Sequence, residues 1–352
     1  MYGLVVLLDF QKIDTTAKLD AKTLFDLVKL SFGVVAGAGA LVALVVAYRR
    51  QRVDEAGAHR DATRLHTERF SQAVDKLGSD SPAVRLGGVH ALAGLADDAP
   101  DDGLRQTCID VLCAYLQLPF TPDPGDDPAH QEEHHRHLAF RKVRHTILRL
   151  IGDHYRRPRG THRSWQGCDL DLTGVTIDCN INFSGTVFGG SRVNFSEAIF
   201  AAGEVSFDSA SFSGGLVYFG DATFAGGRVY FGEAAFSGGE VYFDDATFSG
   251  STVSFRDAEF SGGTVYFGEA AFTNGLVSFR RAAFTGSTVS FSGAAFTGGV
   301  VAFDDATFSS GEVTFDDASG QPPRGLLAAA GNPVHPTITI PWIPHPRSVD
   351  PS

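Results

Sequence analysis

Paired cysteines are the first thing that this 352-residue sequence lacks. None of its four cysteines forms a C-x-x-C pair, and Cys108 and Cys113 are spaced so that they do not share one face of a helix. A disulfide-built framework is therefore excluded. We predict four reduced, mostly buried thiols, as in a cytosolic compartment, at Cys108, Cys113, Cys168 and Cys179.

Lysine is absent from residues 178–317, and cations of any kind are scarce there. This segment has 17 Asp or Glu residues against 5 Arg, while the rest of the chain has 24 acids and 24 bases. The net charge of −12 therefore lies in this one segment. A regular T-x-T array is also missing from the outward positions, which excludes an ice-binding surface.

The same segment has a strict phenylalanine rhythm, in which gaps of five and seven residues alternate to give a repeat of about twelve residues. Residues 214–225, for example, read GGLVYFGDATFA. Alternate residues of an extended segment point to the same side, so Val217 and Phe219 face inward and Tyr218 faces outward. We predict internal ladders that include Phe195, Phe200, Phe207, Phe212, Phe219, Phe224, Phe231, Phe236, Phe243 and Phe248.

Two coil sizes fit this rhythm. A twelve-residue coil needs a two-residue join across a core about 10 Å thick, which two residues cannot span. A 24-residue coil has four short sides and a corner between each pair, so we favour it and predict about six coils over about 28 Å. Glycine is expected to supply the positive φ of the corners, as at Gly220-Asp221 and Gly226-Gly227.

A small residue two positions before a large apolar one, repeated every five, resembles the pentapeptide-repeat family. Residues 169–177, DLDLTGVTI, are close to the ordinary pattern of that family, and the later copies resemble its Phe-centred variant with alternate units of five and seven residues. The resemblance implies a right-handed quadrilateral parallel β-helix. The fold class expected for the whole chain is α+β multidomain.

An uncharged stretch, SFGVVAGAGALVALVVAY, fills residues 31–48 and predicts a transmembrane helix that binds the lipid bilayer. Arg49, Arg50 and Arg52 follow it, whereas a cleaved signal peptide would end in small residues. The slight excess of positive charge on that side favours a single-pass protein of the cell membrane with its C-terminal domains in the cytoplasm. Residues 1–30 are expected to form an N-terminal segment with an apolar run at residues 2–8 and an amphipathic helix at 11–29.

Residues 49–160 are expected to form an α-helical module. Ser81-Pro82 predicts a helix start, and the sequence that follows resembles the inner helix of a HEAT-type repeat. The basic residues between Arg136 and Arg163 indicate a solvated face, or contact with anionic lipid. The β-helix is expected at residues 161–318, with the preceding helix and Trp165 covering its first coil, and a Pro-rich tail at 319–352 folding partly across its last. The order of a transmembrane helix, a helical module and C-terminal repeats resembles that of membrane-attached pentapeptide-repeat proteins of actinobacterial type.

One motif suggests catalysis. Residues 130–134 read HQEEH, the H-x-x-E-H order of inverted zinc peptidases, in which His130 and His134 would bind zinc and Glu133 would act as base. No downstream carboxylate ligand is evident, and the solvated start of a helix explains the same residues. We therefore expect no enzyme activity, no metal and no cofactor.

The function expected from these features is that of a membrane-anchored scaffold that binds an unidentified protein partner, with no direct nucleic-acid binding and with homo-oligomerisation left open. The charge density of the repeats approaches that of duplex DNA, so mimicry of DNA toward a type II topoisomerase is the alternative. The interaction surface is expected to include Tyr218, Tyr230, Tyr242, Tyr266, Asp244, Asp245, Asp304 and Asp305.

Overall fold

The computed structural model describes residues 20–342, apart from 122, 126 and 332. The chain divides into two compact units, residues 1–64 and 65–352. The predicted apolar run at residues 2–8 and most of the predicted amphipathic helix at 11–29 lie outside the described residues.

Helix α1 runs from Ala21 to Leu77 without interruption. The sequence predicted separate helices here, but no proline lies between these residues to remove a backbone donor, so the helix continues through both apolar and charged segments. Its apolar part is exposed throughout, and by length and composition it could cross a membrane. A signal sequence passes the same test.

Three further helices form a small bundle: α2 (Pro82–Asp97), α3 (Asp102–Gln117) and α4 (Gln131–Tyr155), the last preceded by a 3-10 helix at Pro128–His130. Asp101 caps α3 by accepting a hydrogen bond from the Leu104 amide at 2.9 Å. Ser81 lies at the start of α2, as predicted, but its side chain makes no capping bond. Buried residues of all three helices continue into the core of the repeats.

The repeats form a parallel β-solenoid. Its strands are β1 (Leu170–Asp171), β2 (Thr176–Ile177), β3 (Ile181–Asn182), β4 (Val187–Asn194), β5 (Ile199–Phe200), β6 (Glu204–Ser206), β7 (Ser211–Tyr218), β8 (Thr223–Phe224), β9 (Arg228–Tyr230), β10 (Ala235–Tyr242), β11 (Thr247–Ser254), β12 (Glu259–Tyr266), β13 (Ala271–Ser278), β14 (Ala283–Phe284), β15 (Thr288–Ser290), β16 (Ala295–Phe296), β17 (Val300–Ala302), β18 (Thr307–Phe308), β19 (Glu312–Thr314), β20 (Ser319–Gly320) and β21 (Ile338–Thr339).

The coil has 24 residues, which confirms the larger of the two predicted coil sizes. Phe236 pairs with Phe212 of the preceding coil and with Phe260 of the next, each 24 residues away. One coil therefore contributes to four separate Phe ladders. Rings within a ladder stack almost parallel, as at Phe219–Phe243, where the centroids are 4.6 Å apart and the planes differ by 3°. This spacing matches that between neighbouring strands.

The solenoid advances by about seven coils, which corrects the prediction of about six. One ladder begins at Leu170 and passes through the valines at 193, 217, 241, 265, 289 and 313 before it ends at Ile338. The additional coil arises because residues 169–177 and a strand of the C-terminal tail join the stack at its two ends.

The corners agree with the prediction at the four-residue joins, where Gly227 has φ 71°, and differ from it at the two-residue joins. At the two-residue joins the positive φ belongs to the second residue, so Asp221 has φ 57° and Asp245 has φ 58°, while Gly220 lies outside this region. The amide of Asp221 donates to the carbonyl of Asp244 in the next coil at 2.9 Å. Aspartate tolerates the left-handed conformation better than most side chains, and here it also directs a charge outward.

Both ends of the solenoid are covered. Helix α4 lies over the first coil, where the Tyr155 ring meets Phe183 and Phe188 with centroids 6.0 and 6.2 Å apart, and Trp165 is fully buried nearby. At the other end, the short helix α5 (Leu326–Ala330) and strand β21 cover the last coil, and Trp342 packs edge-on against two Phe rings. Covering both ends protects the apolar ladders from end-to-end association.

Candidate interaction surface

Three tyrosines form a column on one outer face of the solenoid. Tyr218, Tyr242 and Tyr266 lie in successive coils, and their rings stack with centroids 5.0 Å apart and planes 9° and 12° from parallel. Each ring is half-buried by its neighbours and leaves an edge in solvent. Aromatic side chains of this kind are common in protein interfaces because they combine apolar area with few rotatable bonds.

Tyr230 does not belong to this column. It pairs with Ser206 and Ser254 in the second sheet, because a shift of twelve residues is half a coil and moves a side chain to another face. The structure therefore brings together three of the four tyrosines proposed from the sequence.

An acidic corner borders the tyrosine column. In each of three coils an acid follows the tyrosine by three residues, so that Asp221, Asp245 and Glu269 are stacked at one corner. Glu197 and Asp317 occupy the same position in other coils, and all five side chains are exposed. Within residues 20–342 as described, none of these carboxylates has a cationic partner within 4.0 Å. We call the column and this corner together the tyrosine–acid surface.

The opposite corner carries Glu233, Asp257 and Asp305, and two of these acids are paired with arginines. Asp257 makes a two-point ion pair with Arg281 at 2.6 Å, and Asp305 lies 3.7 Å from Arg280. Asp304 is paired with Arg324. Asp304 and Asp305 are therefore not part of the tyrosine–acid surface, although the sequence grouped them with Asp244 and Asp245.

Two polar contacts fix the edge of the tyrosine column. Asp244 accepts a hydrogen bond from the Gly268 amide at 3.0 Å, and its partial burial raises the pKa of its carboxyl. The Tyr242 hydroxyl donates to Glu240, and this bond raises the pKa of Tyr242. Both contacts hold acids against the column, so the surface is negative and aromatic at once.

The H-x-x-E-H motif, considered above as a zinc site, is not among the described groups of three possible metal ligands. His134 Nδ1 lies 2.6 Å from Asp123, while His130 Nδ1 lies 4.0 Å from Asp127, so the two histidines face different aspartates. Glu133 lines a separate cavity, which is considered below. In the part of the chain that the structure describes, one group of three His, Cys, Asp or Glu side chains has the geometry of a metal site, and it is His145, Asp178 and Cys179.

Asp178 of that group serves to join helix α4 to the solenoid. His145 Nε2 lies 2.7 Å from one carboxylate oxygen, and Arg141 Nε donates to the other at 2.5 Å. Burial alone would raise the pKa of Asp178, but these two partners outweigh it and lower the pKa to about 2. The guanidinium already occupies the carboxylate, which disfavours a metal ion at the same oxygen atoms.

The cysteines are unpaired. Cys108 and Cys113 are buried and the other two are half-buried, and desolvation raises the pKa of each thiol, to about 11 for Cys108 and Cys168 and to about 12 for Cys113 and Cys179. Thiols of such high pKa are poor nucleophiles at neutral pH.

Comparison with protein families adds one finding to this geometry. Residues 238–282 match a family model of pentapeptide repeats, described as nine copies. This segment of the solenoid is therefore similar to pentapeptide repeats. It includes Tyr242, Tyr266 and the Asp257–Arg281 pair. Comparisons with curated proteins and with solved structures gave no significant match.

The sequence identified part of the tyrosine–acid surface and missed Glu197, Asp221, Glu269 and Asp317. The signal that finds them is their spacing of 24 residues, or a multiple of it, from Asp245. Sorting the acids by their place in a 24-residue coil, rather than by their place in a twelve-residue repeat, separates the uncompensated corner from the compensated one.

Proposed function

We propose that this protein is a membrane-anchored, non-enzymatic scaffold that binds a basic segment of a protein partner through its tyrosine–acid surface. The apolar segment at residues 31–48 would hold it in the cell membrane with its C-terminal domains in the cytoplasm. The exposed apolar face of α1 supports the anchor, since about 27 Å of helix is close to the thickness of a bilayer core. The arginines that follow this segment support the orientation.

The observation that carries the proposal is the asymmetry of charge between the two corners. Acids that merely keep a β-stack soluble would be expected on both corners alike. Instead, arginines pair with Asp257 and Asp305 at one corner, and the acids of the other corner have no such partners and lie beside stacked aromatic rings. Guanidinium groups suit such a surface because they pair with carboxylates and also stack on aromatic faces.

Binding of synthetic peptides to the full-length chain in detergent tests the proposal. A fluorescent arginine–serine peptide should bind more tightly than a lysine–serine peptide of equal length and charge. Changing Asp221→Asn, Asp245→Asn and Glu269→Gln together should weaken arginine-peptide binding roughly tenfold at low salt, because exposed charge pairs contribute about 0.2–1 kcal/mol each. Asn is compatible with the positive φ of the two aspartate positions.

The opposite corner provides a matched control. Glu233→Gln, Asp257→Asn and Asp305→Asn remove the same number of charges from positive-φ positions at the opposite corner, half a coil away. This variant should bind the peptide like the wild type. Equal losses in both triple variants would show that binding follows net charge alone and would refute a localised surface.

The DNA-mimic alternative requires charge arranged as in a duplex. The acidic corner carries one column of acids with a rise of about 4.8 Å per coil, against about 3.4 Å between phosphates of one DNA strand. At the second corner, Asp257 and Asp305 are paired with arginines. This arrangement favours a basic peptide over a duplex-binding enzyme. Inhibition of DNA supercoiling by gyrase with the full chain, lost on removal of residues 161–352, would support mimicry instead.

The membrane anchor is tested separately. The full chain should stay with membranes after alkaline extraction, and a chain that begins at residue 49 should be released. Release of both forms would contradict the anchor without affecting the peptide-binding surface.

A further inference from the structure

A cavity of about 470 Å³ lies in the helical bundle, away from the tyrosine–acid surface. Residues of α2, α3, α4 and the segment between α3 and α4 line it. Its wall is partly apolar, with Leu118, Pro119, Phe120 and Phe140, and partly cationic. A cavity of this size is typical of sites for small organic ligands.

Arg144 on helix α4 lines this cavity and is the unusual group in it. Its side chain belongs to a residue with only 8% of its surface exposed, and its guanidinium carbon lies 5.1 Å from the centre of the Phe120 ring. Among the described residues its guanidinium has no hydrogen bond and no carboxylate within 4.0 Å. Burial lowers its pKa. Asp178 acts on Arg144 electrostatically, but its carboxylate is already bound by Arg141 and His145. A buried cation without a directly bonded counter-charge is costly, so a partner for it is expected to come from the cavity.

A second guanidinium faces the same space. Arg85 on α2 donates to the Ser79 carbonyl and to the Tyr115 hydroxyl, the latter at 3.0 Å, and it lies 4.6 Å from the centre of the Phe140 ring. These contacts are all to neutral groups. They hold the Arg85 guanidinium in place but do not neutralise its positive charge.

The rim of the cavity adds one more cation and one acid. Arg136 lines it with a side chain that is 67% exposed and lies 3.7 Å from Glu132, and Glu133 lines it as well. His137 completes the rim and approaches Asp123 at 3.9 Å. Three guanidinium groups against one lining carboxylate leave the cavity positive.

We propose that this cavity is a binding site for a small organic anion, with a phosphate group at Arg144 and Arg85 and an apolar body against the aromatic wall. Arginine forms short, charge-assisted and often two-point hydrogen bonds with phosphate, which suits a guanidinium with free donors. The same chemistry occurs in soluble organic phosphates and in the headgroup of phosphatidic acid, so the test must separate these sources.

Thermal unfolding and calorimetry of the full chain in neutral detergent provide the test. The probe is phenyl phosphate, compared with phenol and with inorganic phosphate, and a second arm adds short-chain phosphatidic acid or phosphatidylcholine to the micelles. Phenyl phosphate should raise Tm and bind more tightly than either fragment. A stronger response to phosphatidic acid than to phenyl phosphate would identify the lipid as the source of the anion, and the reverse would identify a soluble ligand.

Arg144→Leu should weaken phenyl phosphate binding tenfold or more while leaving Tm without ligand unchanged or higher, because it removes a buried cation that has no directly bonded carboxylate. A purely structural arginine would instead lower Tm. Arg149→Leu is the matched control, since Arg149 is an exposed arginine of the same helix that pairs with Asp153 at 3.0 Å, and it should bind like the wild type.

Arg136→Ala keeps the proposal testable if the Arg144 variant does not fold. This exposed rim position should tolerate alanine and still lose affinity severalfold. The proposal would be overturned if millimolar phenyl phosphate gave neither binding heat nor a rise in Tm with the wild type. It would also be overturned if Arg144→Leu bound phenyl phosphate as tightly as the wild type. If Arg144→Leu does not fold, unchanged binding by Arg136→Ala would overturn it instead. These results are independent of peptide binding at the tyrosine–acid surface.

Discussion

Removing one ring from the centre of the solenoid should destabilise it strongly. Phe243 is fully buried, and its ring stacks on Phe219 at 4.6 Å and on Phe267 at 4.7 Å. It also meets Phe231 and Phe255 edge-on at 6.0 and 5.9 Å. Phe→Ala changes in close-packed cores cost about 3–5 kcal/mol. Because Phe243 contacts rings on four sides, we expect Phe243→Ala to cost at least the middle of this range, about 4 kcal/mol.

Phe243→Leu separates the contribution of volume from that of the ring. Leucine fills most of the space, so we expect a loss of about 1–1.5 kcal/mol, chiefly from the stacked and edge contacts. Thermal unfolding of the full chain in detergent should show a Tm lowered by roughly 10 °C for alanine, from about 2–4 °C per kcal/mol, and by only a few degrees for leucine. If both variants unfold within about 2 °C of the wild type, the ladder is not the source of stability.

Two further predictions concern the joint with α4 and the corners. Asp178 has a pKa of about 2 in the folded protein and about 3.9 when unfolded. This shift corresponds to about 2.6 kcal/mol, which partial exposure to solvent reduces to about 2 kcal/mol. The contribution is present above about pH 5 and is lost as pH falls through about 2. Asp178→Asn should lower stability at pH 7 by about 2 kcal/mol in denaturant titrations, and equal loss in the half-buried control Asp153→Asn would contradict this. Gly262→Ala should cost about 1–3 kcal/mol of unfolding free energy in the same titrations, because its Cβ would lie 2.6 Å from a backbone oxygen of the preceding coil. Gly214→Ala is the control at the equivalent corner: its Cβ would lie 3.7 Å from the nearest atom, so the change should be neutral. Equal effects of the two changes would show that backbone proximity does not decide the outcome.

The repeats were predictable because their chemistry is local. Alternation in triplets such as Val217-Tyr218-Phe219 determines which side chains enter the core, and the reach of a two-residue join excludes the smaller coil. The apolar run of α1 could also be recognised from the sequence, because a continuous uncharged stretch is likewise a local property. The positive φ at Asp221 was missed, because glycine is the expected residue there and the choice depends on hydrogen bonding to the next coil.

The candidate site was only partly predictable. The sequence identified tyrosines and acids that repeat every twelve residues and therefore grouped Tyr230 with Tyr242. The structure divides them, because alternate copies of a twelve-residue repeat lie on opposite sides of a 24-residue coil. Arg144 was read as one of many basic residues on a solvated face, and its burial depends on the packing of α2, α3 and α4 around it.

The sequence by itself determined that this chain has a long apolar helix, a helical segment and an acidic Phe-centred solenoid, because hydrophobic periodicity and charge count are properties of the chain alone. Only the tertiary structure decided which acids share a corner, which arginines neutralise them and which arginine is left buried beside a cavity. These are distances between residues far apart in sequence, and they exist only once the coils are stacked and the helices are packed.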